Sequence, residues 1–333
     1  MHRAVATRRV LSRRLSTAAT DPFGYCTDVV KRGDYDGYLY NLLQGAQLRP
    51  ATMAIRAFNV ETAAIKDSVR GNVMPGKLRM QWWKDTIAAD IFAGEPPPLP
   101  VALALGEVVA KHKGALTRRW FDRLLDARMI DLERTQPETL QEMETYAENT
   151  ASSLLYLHLE LIGAGTGSGP GAGALGHAAG HVGKAAGICT LLRSLALPPP
   201  PAALSGGGSI GFSESCVLPS EVMRKYLLRH AVLERGPKDD KEAHALAECV
   251  FEVASVAKGH IEAAEEGLAV AREDAGGKLP AGAFAALLPG VRVAWYLETL
   301  QGSGFNAFDE SLRPQSPFKF QLRLGRAMIT EKF

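Results

Sequence analysis

Between Lys241 and Glu273 the apolar residues Leu246, Val250, Val253, Ala257, Ile261, Ala264, Leu268 and Ala271 return at every third or fourth position. That period places them on one face of a helix, with Glu248, Glu252, Lys258, Glu262 and Glu266 elsewhere on its surface. The stripe is rich in alanine, so a neighbouring helix can approach closely.

Glycine and proline divide the rest of the chain into similar blocks, with breaks at 94–100, 163–173, 198–211, 236–240, 276–282 and 302–317. Thr135-Gln136-Pro137-Glu138 has the form of a capping box, in which the hydroxyl and the carboxylate satisfy each other's backbone N–H groups. The helix it opens is predicted to run to Ile162 and to end at Gly163. Its second half, Leu154 to Ile162, is apolar nearly all round, as a central helix should be. No strand alternation intervenes. The fold class expected is all-α, a single large helical bundle over residues 21–333.

Residues 1–20 read differently. Arg3, Arg8, Arg9, Arg13 and Arg14 occur there without an acidic residue, among serines and threonines. This is the composition of a mitochondrial transit peptide, and no apolar run of the secretory kind follows the arginines. The whole chain carries a net charge of only +2, so the remainder is close to neutral and offers no basic footprint for nucleic acid. No run of about 18 apolar residues appears, so no membrane-spanning helix is expected. Cys26, Cys189, Cys216 and Cys249 are too far apart in sequence for a ribbon or redox pair and read as buried thiols.

Three motif matches fail on context. Gly171, Gly173 and Gly176 fit a dinucleotide fingerprint, but a glycine-rich loop precedes them where a strand is required. Gly207, Ser209 and Gly211 fit a nucleophile elbow, again without a strand. His177 and His181 share a helical face, yet no neighbouring residue completes a metal set, and they read as a packed or surface pair. No cofactor and no metal is expected.

Two stretches carry a family resemblance. Ala54 to Asp67, followed by Leu78-Arg79-Met80-Gln81-Trp82-Trp83, resembles the first aspartate-bearing helix of the squalene/phytoene synthases and the tryptophan helix after it. Gly183 to Arg193 is similar to that family's second motif helix. Val217-Leu218-Pro219 and Tyr146 to Ser153 match shorter segments in the same order. The resemblance covers roughly Asp34 to Leu300 and implies the isoprenoid-synthase bundle.

The family's enzymes join two prenyl diphosphates, and Mg²⁺ held by aspartates four residues apart carries the anionic group. Here Ala63 stands where the first aspartate of the first pair belongs, and Asp67 keeps the second. Ser194 and Pro198 replace the second pair. A lone carboxylate cannot assemble the metal clamp on which ionisation depends. Arg193 is a candidate anion contact that can equally pair with a carboxylate. Trp82 and Trp83 are candidate cavity contacts, though adjacent helical positions diverge by about 100°, so one should be buried and the other near the edge.

An import signal with eroded aspartates is similar to the non-catalytic branch of this family. That resemblance implies a matrix protein, peripheral on the inner membrane, that acts early in complex I membrane-arm biogenesis. The implied partners are assembly intermediates around the ND1 region. The rival readings are an active prenyl diphosphate transferase and a carrier of an isoprenoid lipid. From Phe318 to Ile329, Phe318, Leu322, Gly325 and Ile329 form one helical face, with Lys319, Arg323 and Arg326 on another. Such a helix either lies on an anionic surface or docks on the bundle.

Overall fold

The computed structural model describes residues 21–69, 72–164, 171–195, 216–313 and 317–333, which are helical with no strand among them. The import-type segment, Pro198 and the 207–211 motif lie outside these residues. The helices are α1 (Pro22–Gly33), α2 (Tyr35–Leu42), α3 (Arg49–Ser68), α4 (Met74–Asp85), α5 (Pro100–Lys111), α6 (Arg118–Asp131), α7 (Leu140–Ala147), α8 (Ser153–Leu161) and α9 (Ala172–Ser194). They continue as α10 (Ser220–Lys225), α11 (His230–Arg235), α12 (Asp240–Asp274), α13 (Ala283–Ala286), α14 (Pro289–Gly302) and α15 (Pro317–Thr330). Two π-helical turns, Thr86–Ile91 and Glu148–Ser152, follow α4 and join α7 to α8.

The long helix α12 begins and ends within a residue of its sequence expectation, and its whole predicted stripe is buried. Asp239 caps it by accepting from the Glu242 N–H at 2.8 Å, and the Glu242 carboxylate accepts from the Lys238 N–H at 3.0 Å. Hydrogen bonds, foremost from Arg235, hold the Glu242 carboxyl down at about 2.

The capping box on α7 lies one helical turn later than predicted. Thr139, not Thr135, accepts from the Glu142 N–H at 3.2 Å, and the Glu142 carboxylate accepts from the Glu138 N–H at 2.8 Å. The sequence carries the Thr-x-x-Glu spacing twice in succession. The first copy is not helical, because its backbone serves another segment. Thr135, Pro137 and Glu138 carbonyls accept from the N–H groups of Cys216, Ser220 and Glu221 at 2.8–3.0 Å. The helix ends as expected, with Gly163 in the left-handed region at φ +71°.

Helix α8 is buried on almost every side, and α9 lies across it. Gly183 and Gly187 make that approach possible. A Cβ on Gly183 would stand 2.4 Å from the Ser152 Cα, and one on Gly187 2.8 Å from the Ala147 Cα. The Ser152 hydroxyl donates to the Gly180 carbonyl at 2.9 Å across the same contact. On its other side α9 packs along α12, where Gly267 faces Ala178. Gly171, the first glycine of the discarded fingerprint, caps α9 at φ +74° and lies against the Ala271 backbone. Its job is to admit α9 beside α12.

The four cysteines are buried and unpaired, and burial pushes Cys216 up to about 11 and the others to about 12.

Gly183→Ala should therefore lower stability by about 1–3 kcal/mol, since the new methyl meets backbone that cannot yield. Gly259→Ala, in mid-helix with nothing within 4 Å, should raise it by about 1 kcal/mol. Urea denaturation of the two variants checks both signs.

Candidate functional site

The first motif position falls on the last turns of α3. Ala63 and Asp67 are both exposed there. Partial desolvation raises the Asp67 carboxyl above its usual range, and Lys66 pulls it back. Lys66 itself pairs with Asp131 at 2.9 Å. At the second motif, Ser194 ends α9 with its hydroxyl donating to the Leu191 carbonyl at 2.6 Å. Among the described residues no three histidine, cysteine or acidic side chains converge as metal ligands. The donor set left by Ala63, Asp67 and Ser194 does not fit the Mg²⁺ cluster that the family resemblance implies.

The tryptophans divide as adjacency requires. Trp83 is buried edge-on against Phe58 at 5.1 Å, whereas Trp82 is 40% exposed and packs on Trp83. A groove of about 620 Å³ opens over α6 beside Asn149, and another of about 420 Å³ lies between α4 and α6. Neither is lined by Asp67, Arg193, Ser194 or either tryptophan.

Arg193 is drawn into an ionic cluster that local sequence spacing does not announce. Asp36, in the first turn of α2, pairs with Arg193 of α9 at 3.1 Å and with Arg292 of α14 at 3.2 Å. Arg292 also lies 4.9 Å over the Phe320 ring of α15. Close by in sequence, Asp34 caps α2 through the Gly37 N–H and pairs with buried Arg56 at 2.7 Å. The Arg56 guanidinium lies 5.4 Å over the Tyr40 ring. Two carboxylates thus neutralise most of the charge of three arginines, and the second motif's arginine is already occupied by a group of the chain itself.

Next to this cluster, His158 of α8 is buried with neither ring nitrogen hydrogen-bonded among the described residues. Burial, then the nearby Arg56 charge, pushes it down to about 3. Glu160, two residues on, is fully engaged: it accepts from the Thr117 N–H and hydroxyl and from the Trp120 indole at 2.7–2.9 Å, and so caps α6. His177 and His181 do form a pair, with their Nε2 atoms 3.1 Å apart. The fold adds His260 and Glu144 to it, residues that sequence distance had hidden.

An all-helical bundle of this build defines the isoprenoid-synthase type of fold. Its backbone matches a dehydrosqualene synthase crystal structure with a TM-score of 0.69 at 17% identity, over 95% of this chain and 99% of that one. It matches the squalene synthase HpnC from Alicyclobacillus acidocaldarius with a TM-score of 0.64 at 15% identity, over 86% of this chain and 95% of that one. The squalene/phytoene synthase profile covers residues 30–323, and the chain belongs to that family. Among its relatives are proteins named NADH dehydrogenase (ubiquinone) complex I, assembly factor 6. The Bos taurus protein is 34% identical over 93% of this chain and 83% of its own length. The Homo sapiens protein is 33% identical over 88% and 78%. A Dictyostelium discoideum homologue is 30% identical over 90% and 76%.

His158 supplies a pH test. Its proton affinity is lower in the folded chain than in the unfolded one. The stability this neutral histidine contributes is therefore complete above the unfolded value of 6.5 and is lost as the pH falls from there towards about 3. At pH 5 the loss should be ~2 kcal/mol relative to pH 7. His158→Leu should flatten that limb in urea denaturation curves between pH 7 and pH 4.5, because the carboxylates titrating there are common to both proteins.

Proposed function

We propose that this protein is a mitochondrial complex I assembly factor that retains the family's helical bundle without its carboxylate chemistry. Similarity along most of the chain to relatives bearing that name, from mammals to an amoeba, carries the reading. The site agrees with it. Ala63 has no ligand atom for Mg²⁺, Ser194 offers only a neutral hydroxyl in place of a carboxylate, and Asp36 engages both Arg193 and Arg292. Residues 1–20 act as the import signal, and residues 21–333 are the working protein.

The place of action in this reading is the matrix face of the inner membrane, at an early step of membrane-arm assembly. Attachment there is peripheral in this reading; among the described residues no helix is long and apolar enough to span a bilayer. Helix α15 is suited to it because it is apolar on two opposite sides. Phe320, Leu324 and Ala327 dock on the bundle, while Phe318 at 65% and Ile329 at 86% exposure point outward with Leu322. Lys319 and Arg326 flank the outward stripe.

Mitochondria lacking the protein should lose complex I in native gels while complexes III and IV persist, and re-expression should restore it. A re-expressed Leu322→Glu/Ile329→Glu variant should shift towards the soluble matrix fraction. Normal complex I in the deleted cells would defeat the assembly reading. Purified protein given labelled prenyl diphosphate and Mg²⁺ should form no condensed product. A product abolished by Asp67→Ala would establish a transferase instead.

A further inference from the structure

Three histidines and a carboxylate from three helices form a single hydrogen-bonded file on the far side of α9 from the motif arginine. His177 and His181 come from α9, His260 from α12 and Glu144 from α7. The Glu144 carboxylate lies 2.7 Å from His260 Nε2, His260 Nδ1 lies 2.8 Å from His181 Nδ1, and His181 Nε2 lies 3.1 Å from His177 Nε2. His177 is exposed, and the other three are half-buried.

The carboxylate fixes the order of protons along the file. With the carboxylate ionised and the imidazoles neutral, His260 carries its proton on Nε2 and leaves a lone pair on Nδ1. That lone pair accepts from His181 Nδ1–H. His181 Nε2 is therefore a lone pair, and it points at the surface towards His177. Metal-binding histidines show the same arrangement, in which the ring nitrogen away from the ion donates to a carboxylate or another acceptor that fixes the tautomer. Here the acceptor is a second histidine backed by a carboxylate.

The outer end has the dimensions of a chelate. Residues four apart on a helix share one face. Two nitrogens at ~2.0–2.1 Å from a tetrahedral ion are roughly 3.3 Å apart, close to the observed separation. We propose that His177 and His181 form a two-nitrogen seat for a borderline divalent transition-metal ion of the Zn²⁺ or Cu²⁺ class, with His260 and Glu144 as positioning residues. Imidazole suits those ions, whereas Mg²⁺ and Ca²⁺ require oxygen ligands. No third protein ligand converges on the seat among the described residues. The rest of the coordination shell is open to water or to a ligand from a partner.

Tag-free, chelator-stripped full-length protein should bind one saturable equivalent of Zn²⁺ by isothermal titration. Cu²⁺ at the same site should give an electron paramagnetic resonance spectrum with hyperfine splitting from two imidazole nitrogens. His177→Gln and His181→Gln should each abolish that equivalent, with unchanged circular dichroism confirming the fold. His244→Gln, at an exposed histidine elsewhere, should retain it. Glu144→Gln should weaken binding ~10–100-fold. The metal seat is overturned if the wild-type protein has no saturable equivalent, or if the His177 and His181 variants bind as it does. Unchanged affinity in Glu144→Gln would remove His260 and Glu144 from the proposal.

Discussion

The bundle depends on one contact between two backbones. Helix α9 reaches the π-turn at 148–152 because Gly183 and Gly187 present no side chain there. The π-turn itself lets α7 and α8 run on as one helix while its register shifts. Every other neighbour of α9 inherits that position: α12 along its alanine face, α14 beside Arg193 and the tail helix α15 beyond it. The same closeness leaves little apolar side-chain area to hold the two helices together. Short polar bonds such as Ser152 to the Gly180 carbonyl supplement it.

Where α9 emerges from this contact it carries Arg193, and here the chain departs from an anion-binding surface. Half-buried cations left unpaired would be costly, so these arginines need a source of negative charge. Asp36 provides it for Arg193 and Arg292 together. The cluster then holds α2, α9 and α14 in place, and α15 joins through Arg292 over Phe320. The paired charges thereby tie together helices that are distant in sequence.

What could be read from the sequence follows the range of the interactions. Periodicity is local, so α12 and the buried length of α8 were legible almost to the residue. The divergence of Trp82 and Trp83 followed from helix geometry alone. The capping box was misplaced by one turn because two identical spacings compete. The contest is decided by Cys216, Ser220 and Glu221, about 80 residues away. Asp36 lies 157 residues from Arg193, and nothing in the spacing of either announces the other. His177 and His181 were found as a pair, while His260 and Glu144 lay beyond any local pattern. Docking of α15 on the bundle was one of the two expectations, but the residues that dock could not be picked out, for a different reason. Phe320, Leu324 and Ala327 form a second apolar stripe opposite the first, and a search for one amphipathic face stops at the more regular of the two.

These losses and gains fall on different surfaces. The positions that fail to match the catalytic pattern, Ala63 and Ser194, lie at the ends of α3 and α9. The histidine file lies along the first half of α9, and the outward stripe of α15 lies past the arginine cluster. A protein selected only to keep its fold would need none of the last two, because exposed Ile329 and Phe318 add nothing to the core and a three-histidine file contributes less to packing than apolar residues of the same size. Both features make physical sense if this bundle presents surfaces to other molecules.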